Sequence, residues 1–168
     1  MSLYGLIDTA RDECLYDLIA ASAEHACLFA GWLELDVLRA APQIVRLTEE
    51  SRLLQVWANE GRGQSWGIQC TSTGSLIDVR RHFRHFLQAK LPDARTVLFR
   101  FYDPRVWRVY FPTCPEDQLR LWFAHVEEYS CESEEGTETV RYTLKHGKLH
   151  MAFSGSSGNS KGSGSSLS

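Results

Sequence analysis

The side chains whose types suit catalysis or metal binding are few and scattered along the chain. His82 and His85 stand three apart, a spacing that lets two imidazoles on adjacent helical turns share a metal. A zinc protease would add HExxH and an acidic ligand close by. Neither is present, so partly exposed helix histidines are the plainer reading. His146 and His150 flank a turn without any further ligand pattern. Cys14, Cys27, Cys70, Cys114 and Cys131 are odd in number and far apart. They make no CxxC pair and no disulfide framework, so reduced thiols are expected. No basic neighbour stands beside Cys14 or Cys70 to make a reactive thiolate. Gly61-Arg62-Gly63 with Gly67 misses the GxGxxG spacing and precedes a strand rather than a helix. GxSxG and GxxxxGK[ST] do not occur. The run of Glu127, Glu128, Glu132, Glu134, Glu135 and Glu138 reads as a solvated edge, because it lacks the apolar pocket that raises a carboxyl pKa. A hydrolase assembled from Asp8, His82 and Asp103 has no local support. No catalytic residue, metal or cofactor is therefore assigned.

Arginine is the residue that does cluster. Arg80, Arg81, Arg84, Arg95, Arg100, Arg105 and Arg108 fall close together, with Tyr102, Trp107 and Tyr110 among them. Such a mixture suits single-stranded nucleic acid, through stacking and phosphate contacts. It equally suits a protein interface, where Arg, Trp and Tyr are the enriched hot-spot types. The scarcity of Lys in this stretch favours the interface, since Arg serves planar, bidentate recognition. Arg100, Tyr102, Arg105, Trp107, Arg108 and Tyr110 are the candidate protein-binding residues. Arg100 also interrupts an apolar run, and an arginine there needs a carboxylate partner. Asp8 and Asp103 are the two candidates.

The elements that must position these residues follow from periodicity. Residues 3–8 read as a strand, 12–23 as a helix and 27–33 as a second strand. The apolar run at 44–47 is of ambiguous type. Ser51 suits the N-cap of a helix ending near Gly61, and 66–70 reads as a strand. Ser75 can cap a helix with Leu76, Val79, Phe83, Phe86 and Leu87 on one stripe, stopped at Pro92-Asp93. Residues 96–102 alternate as a strand, and Asp103-Pro104 starts a short helix. Pro115 opens another helix, with Leu119, Trp122 and Phe123 buried. Residues 126–132 and 139–151 suit β-structure around a turn at His146-Gly147. The fold expected is a single α/β domain: a mixed sheet from the runs near 3, 28, 66 and 97, flanked by helices, with a smaller helical and β C-terminal portion. Its parts are an α/β core over 1–125, a β-rich extension over 126–153, and a flexible Gly/Ser tail or appended linker over 154–168.

Composition sets the outer bounds. The chain has 168 residues, 43% of them hydrophobic, enough for one domain with its own core. A net charge of -3 disfavours nucleic acid as the partner of the whole molecule. The first residues lack the pattern of a signal peptide, and no stretch approaches the roughly 18 apolar residues of a membrane span. A cytoplasmic protein without membrane attachment is expected.

Several strings together resemble a known family. Leu6-Ile7-Asp8, then Ala41-Pro42-Gln43-Ile44-Val45, then Trp66-Gly67-Ile68, and above all the string FRFYDPRV from Phe99 to Val106, look like the signature of bacterial type VI secretion effector adaptors. That domain is still catalogued as one of unknown function. The resemblance covers residues 3–125 in order and weakens after Phe123. It implies a chaperone-adaptor that binds one effector as cargo and helps load it onto the VgrG spike, with no catalytic activity and no cofactor. Asp8, Pro42, Trp66, Gly67, Asp103 and Pro104 are expected to serve as structural motif. An effector-binding immunity protein, or an Arg-rich binder of nucleic acid or another anion, are the alternatives.

Overall fold

The computed structural model describes residues 1–22 and 24–155. The Gly/Ser stretch expected as a tail lies outside them from residue 156 onward. Among the described residues no helix is long and apolar enough to cross a membrane.

The fold is a single α/β domain whose centre is a seven-stranded sheet. Alternation builds its first strand, β1 (Ser2–Ile7). Tyr4 and Leu6 project to one face, and Leu3 and Ile7 to the other. β1 pairs with β3 (Gln43–Leu47) on one side and β4 (Gly67–Ser72) on the other. The short β2 (His25–Cys27) extends the sheet beyond β3. Beyond β4 come β7 (Glu128–Glu132), β8 (Glu138–Lys145) and β9 (Lys148–Gly155). The strands at 126–153 thus continue the same sheet as the core.

Every pairing is antiparallel, where a mixed sheet was expected. Side-chain alternation is the same in either strand direction, so the pattern does not report it. The strand expected near 97 also lies elsewhere. β6 (Thr96–Leu98) pairs only with β5 (Gln88–Lys90), in a separate hairpin. The helix from Ser75 is correspondingly shorter than its apolar stripe suggested.

Helices cover both faces. α1 (Glu13–Ala20) and α3 (Arg52–Asn59) pack Leu15, Ile19, Leu53 and Trp57 against Ile7, Val45 and Leu47. Asp12 caps α1 through the Cys14 N–H (3.0 Å), and Ser51 caps α3 as the sequence predicts. On the other face lie α4 (Leu76–Arg84), α5 (Pro104–Tyr110) and α6 (Glu116–Trp122). Ser75 and Asp78 form a reciprocal capping box at the start of α4. This face holds an aromatic core. Trp107 stacks on Phe111 at 3.9 Å, Phe86 stacks on Trp122 at 3.6 Å, and Tyr129 and Tyr142 close it from the sheet.

Two further expectations are corrected. β2 stops at Cys27 because Leu28 N still donates to Pro42 O (2.9 Å) but Pro42 has no N–H to return the bond. On the outer side Arg80 donates from Nε to Cys27 O (2.6 Å) and from Nη2 to Phe29 O (3.1 Å). Residues beyond Phe29 lead instead into α2 (Leu35–Ala40), a helix with no buried residue and therefore no apolar stripe to announce it. Likewise β6 ends at Leu98, since residues 99–103 turn to reach α5, closed by the Asp103 N–H on Arg100 O (3.1 Å).

Candidate functional site

The FRFYDPRV string forms this turn and the first part of α5, and its charges are arranged in two clasps. Asp103 is the N-cap of α5, with Pro104 at a first-turn position that needs no N–H donor. Its carboxylate accepts from the Arg105 backbone N–H (2.9 Å) and from Arg105 Nε (3.0 Å) and Nη2 (2.7 Å), a forked pair. Burial pushes the Asp103 carboxyl up, but the Arg105 hydrogen bonds and the charges of Arg105 and Arg100 outweigh it and hold it below its ordinary value. Arg100 pairs with Asp8, which in turn holds the start of the chain: its side chain accepts from Ala10 N, and its own N–H donates to Trp66 O (2.8 Å).

Both aspartates are buried, while the side chains of Arg100 and Arg105 are 45% and 52% exposed. Each guanidinium therefore turns one edge to a buried carboxylate and the other to solvent. Between the clasps, burial and then the Asp8 charge push the Tyr102 hydroxyl up to about 12.

The other motif residues are part of the frame. Pro42 is buried and its carbonyl accepts from Leu28 N (2.9 Å). Trp66 lies in the core between the sheet and α3. A Cβ at Gly67 would sit 2.0 Å from Leu6 O, so only glycine lets β4 approach β1 here.

The six candidate contact residues separate. Arg100 and Arg105 face solvent. Arg108 is half-buried and donates from Nη1 to Glu132 O (2.9 Å). Tyr110 is half-buried, its ring edge-on to Phe99 at 4.7 Å and its hydroxyl accepting from Trp122 Nε1 (3.3 Å). Tyr102 is buried and Trp107 is 0% exposed at the centre of the aromatic core, so neither offers surface to a partner in this fold. The signal for Trp107 was legible: Pro104, Trp107 and Phe111 recur at helical spacing and are all buried. The residue that sequence reasoning missed is Val109, 74% exposed on α5 with Arg105 one turn before it.

The remaining arginines do not join one patch. Arg80 holds the carbonyls of Cys27 and Phe29, Arg81 approaches Asp78 at 3.7 Å, and Arg95 pairs with Asp93 at 2.7 Å. His82 is buried, with Nε2 on Trp122 O (3.0 Å), and burial pushes its pKa down to about 4. Asp8, His82 and Asp103 are thus held by three different partners.

A third clasp ties the last strands to the rest. The Glu132 carboxylate of β7 accepts from Gly63 N (2.6 Å) and Ser65 N (2.9 Å), both in the loop before β4. Gly63 and Ser65 have positive φ, which turns their N–H groups toward the carboxylate.

No curated protein and no solved structure matches the chain. One family does, over residues 3–121, a span that takes in both aspartates, both exposed arginines and all of α5. The chain belongs to the family described as a domain of unknown function, DUF4123.

Proposed function

We propose that this protein is an adaptor that binds a type VI secretion effector and helps load it onto the VgrG spike, acting in the bacterial cytoplasm by holding rather than by chemistry. The observation that carries the reading is the family match, which spans the FRFYDPRV string and the strands that anchor it. Its geometry suits docking. Arg100 and Arg105 are oriented by buried carboxylates yet keep N–H donors toward solvent, and exposed Val109 lies one helical turn from Arg105. Preoriented guanidiniums next to exposed apolar surface are what a protein partner uses for register and specificity. The same pairing weakens the nucleic-acid reading, because each of these charges already faces a carboxylate.

Deleting the gene separately in sender and recipient cells tests the proposal. An adaptor is required in the sender for secretion of one effector, and its loss in the recipient changes nothing. Killing of recipients that lack the gene would identify an immunity protein instead.

A further inference from the structure

The last strand of the sheet is an open edge of unusual kind. β9 is eight residues long and contains no proline, whereas β2, at the opposite edge, has three residues. Among the described residues nothing pairs with the outer side of β9. Proteins ordinarily blunt such an edge by shortening it, bending it or placing proline or charge on its inward side. Here the inward-facing row is Leu149, Met151 and Phe153, opposite Leu144, Tyr142 and Val140 of β8. Leu149 packs on the core, but Met151 is 42% and Phe153 60% exposed.

The backbone of the same row is the part left unpaired. The β8–β9 hairpin closes through a two-residue turn at His146-Gly147, both with positive φ. Lys145 and Lys148 are then the hydrogen-bonded pair next to the turn. By alternation Leu149, Met151 and Phe153 direct N–H and C=O away from β8.

The opposite face of the hairpin is basic. Lys145 and Lys148 stand directly across from each other, with Arg141 and His150 exposed on the same face. Acidic side chains near them are Glu128, 3.9 Å from Arg141, and Glu116, whose carboxylate lies beside Gly147 at the turn. Like charges directly opposite in a sheet are destabilising, and an acidic neighbour on the next strand would relieve them.

We propose that β9 receives an extended segment of a partner protein as an eighth strand, with apolar side chains alternating with acidic ones. The apolar set would cover Met151 and Phe153, and the acidic set would face Lys145, Lys148 and Arg141. Strand addition of this kind draws affinity from main-chain hydrogen bonds and specificity from alternate side chains. The inference goes beyond the adaptor reading and does not depend on it.

The test is fluorescence anisotropy on the full chain with two labelled heptapeptides, one alternating valine and glutamate, the other valine and lysine. The glutamate peptide is expected to bind at least about ten-fold more tightly. Met151→Pro removes one outward N–H without touching the β8 ladder and should abolish that binding. The double variant Lys145→Glu/Lys148→Glu, on exposed positions that leave folding intact, should reverse the preference. Equal affinity for the two peptides, no binding of either, or an unchanged preference in the double variant would overturn the proposal. So would sedimentation showing that the chain alone dimerises and that Met151→Pro abolishes the dimer, since the occupant would then be a second copy. No effector enters the assay, so its failure leaves the adaptor reading standing.

Discussion

Arg100 and Asp8 lie 92 positions apart in the chain and meet in one ion pair, which joins the end of β1 to the turn before α5. The carboxylate is buried and the guanidinium half-exposed. Arg100→Ala would strand a buried acceptor, at a cost of about 1–2 kcal/mol, the low part of the usual range because water reaches the site. Asp8→Asn keeps the shape and loses the charge. Urea midpoints for both single variants and the double variant should show a coupling of about 1 kcal/mol. Strict additivity would mean the pair does not connect the two segments.

Trp107→Ala removes the centre of the aromatic core and should cost about 3–5 kcal/mol. Against a total stability of about 5–15 kcal/mol, that lowers the melting temperature sharply. Calorimetry of the variant checks it. Weaker partner binding by such a variant would report unfolding, so Trp107 is unsuitable as an interface probe.

Val109→Asp and Arg105→Glu are the suitable probes. Val109 is exposed and its replacement should shift stability by less than about 0.5 kcal/mol. Both variants should weaken cargo capture, with Val109→Asp leaving thermal unfolding nearly unaltered. Full capture by both would remove the α5 surface from the account.

His82 should make stability depend on pH. Its pKa is held down to about 4 by burial, with the charges of His125 and His85 adding to the effect. Between the ordinary value near 6.5 and pH 4 the unfolded chain binds a proton that the folded chain refuses. Stability from this source is complete above pH 6.5 and falls as pH drops toward 4, by on the order of 3 kcal/mol. His82→Gln should flatten unfolding free energies across that window. Asp103 acts lower: with its folded pKa depressed, its contribution is present above the ordinary carboxyl value and is lost as pH falls through the folded one.

Much of the fold was legible locally. The caps at Ser51 and Ser75, the two-residue turn at His146-Gly147 and the alternation in β1 all use side-chain chemistry that acts within a few residues. Strand direction was not legible, because it depends on which distant segment supplies a partner. Nor was the early end of the strand at Leu98, where the chain pairs only with the neighbouring β5 and then turns into α5. Two of the six candidate contact residues lie in the core. Arg, Trp and Tyr mark interfaces, but Trp and Tyr also mark cores, and residue type alone put Trp107 and Tyr102 on a surface they do not reach. Helical spacing from Pro104 to Phe111 carried the correction.

The most direct test of the adaptor account is to tag the protein in its host, recover it gently from cells expressing the secretion machinery, and identify by mass spectrometry what accompanies it. The account predicts one large effector polypeptide, with or without a spike protein. Recovery of the chain alone from those cells would contradict it.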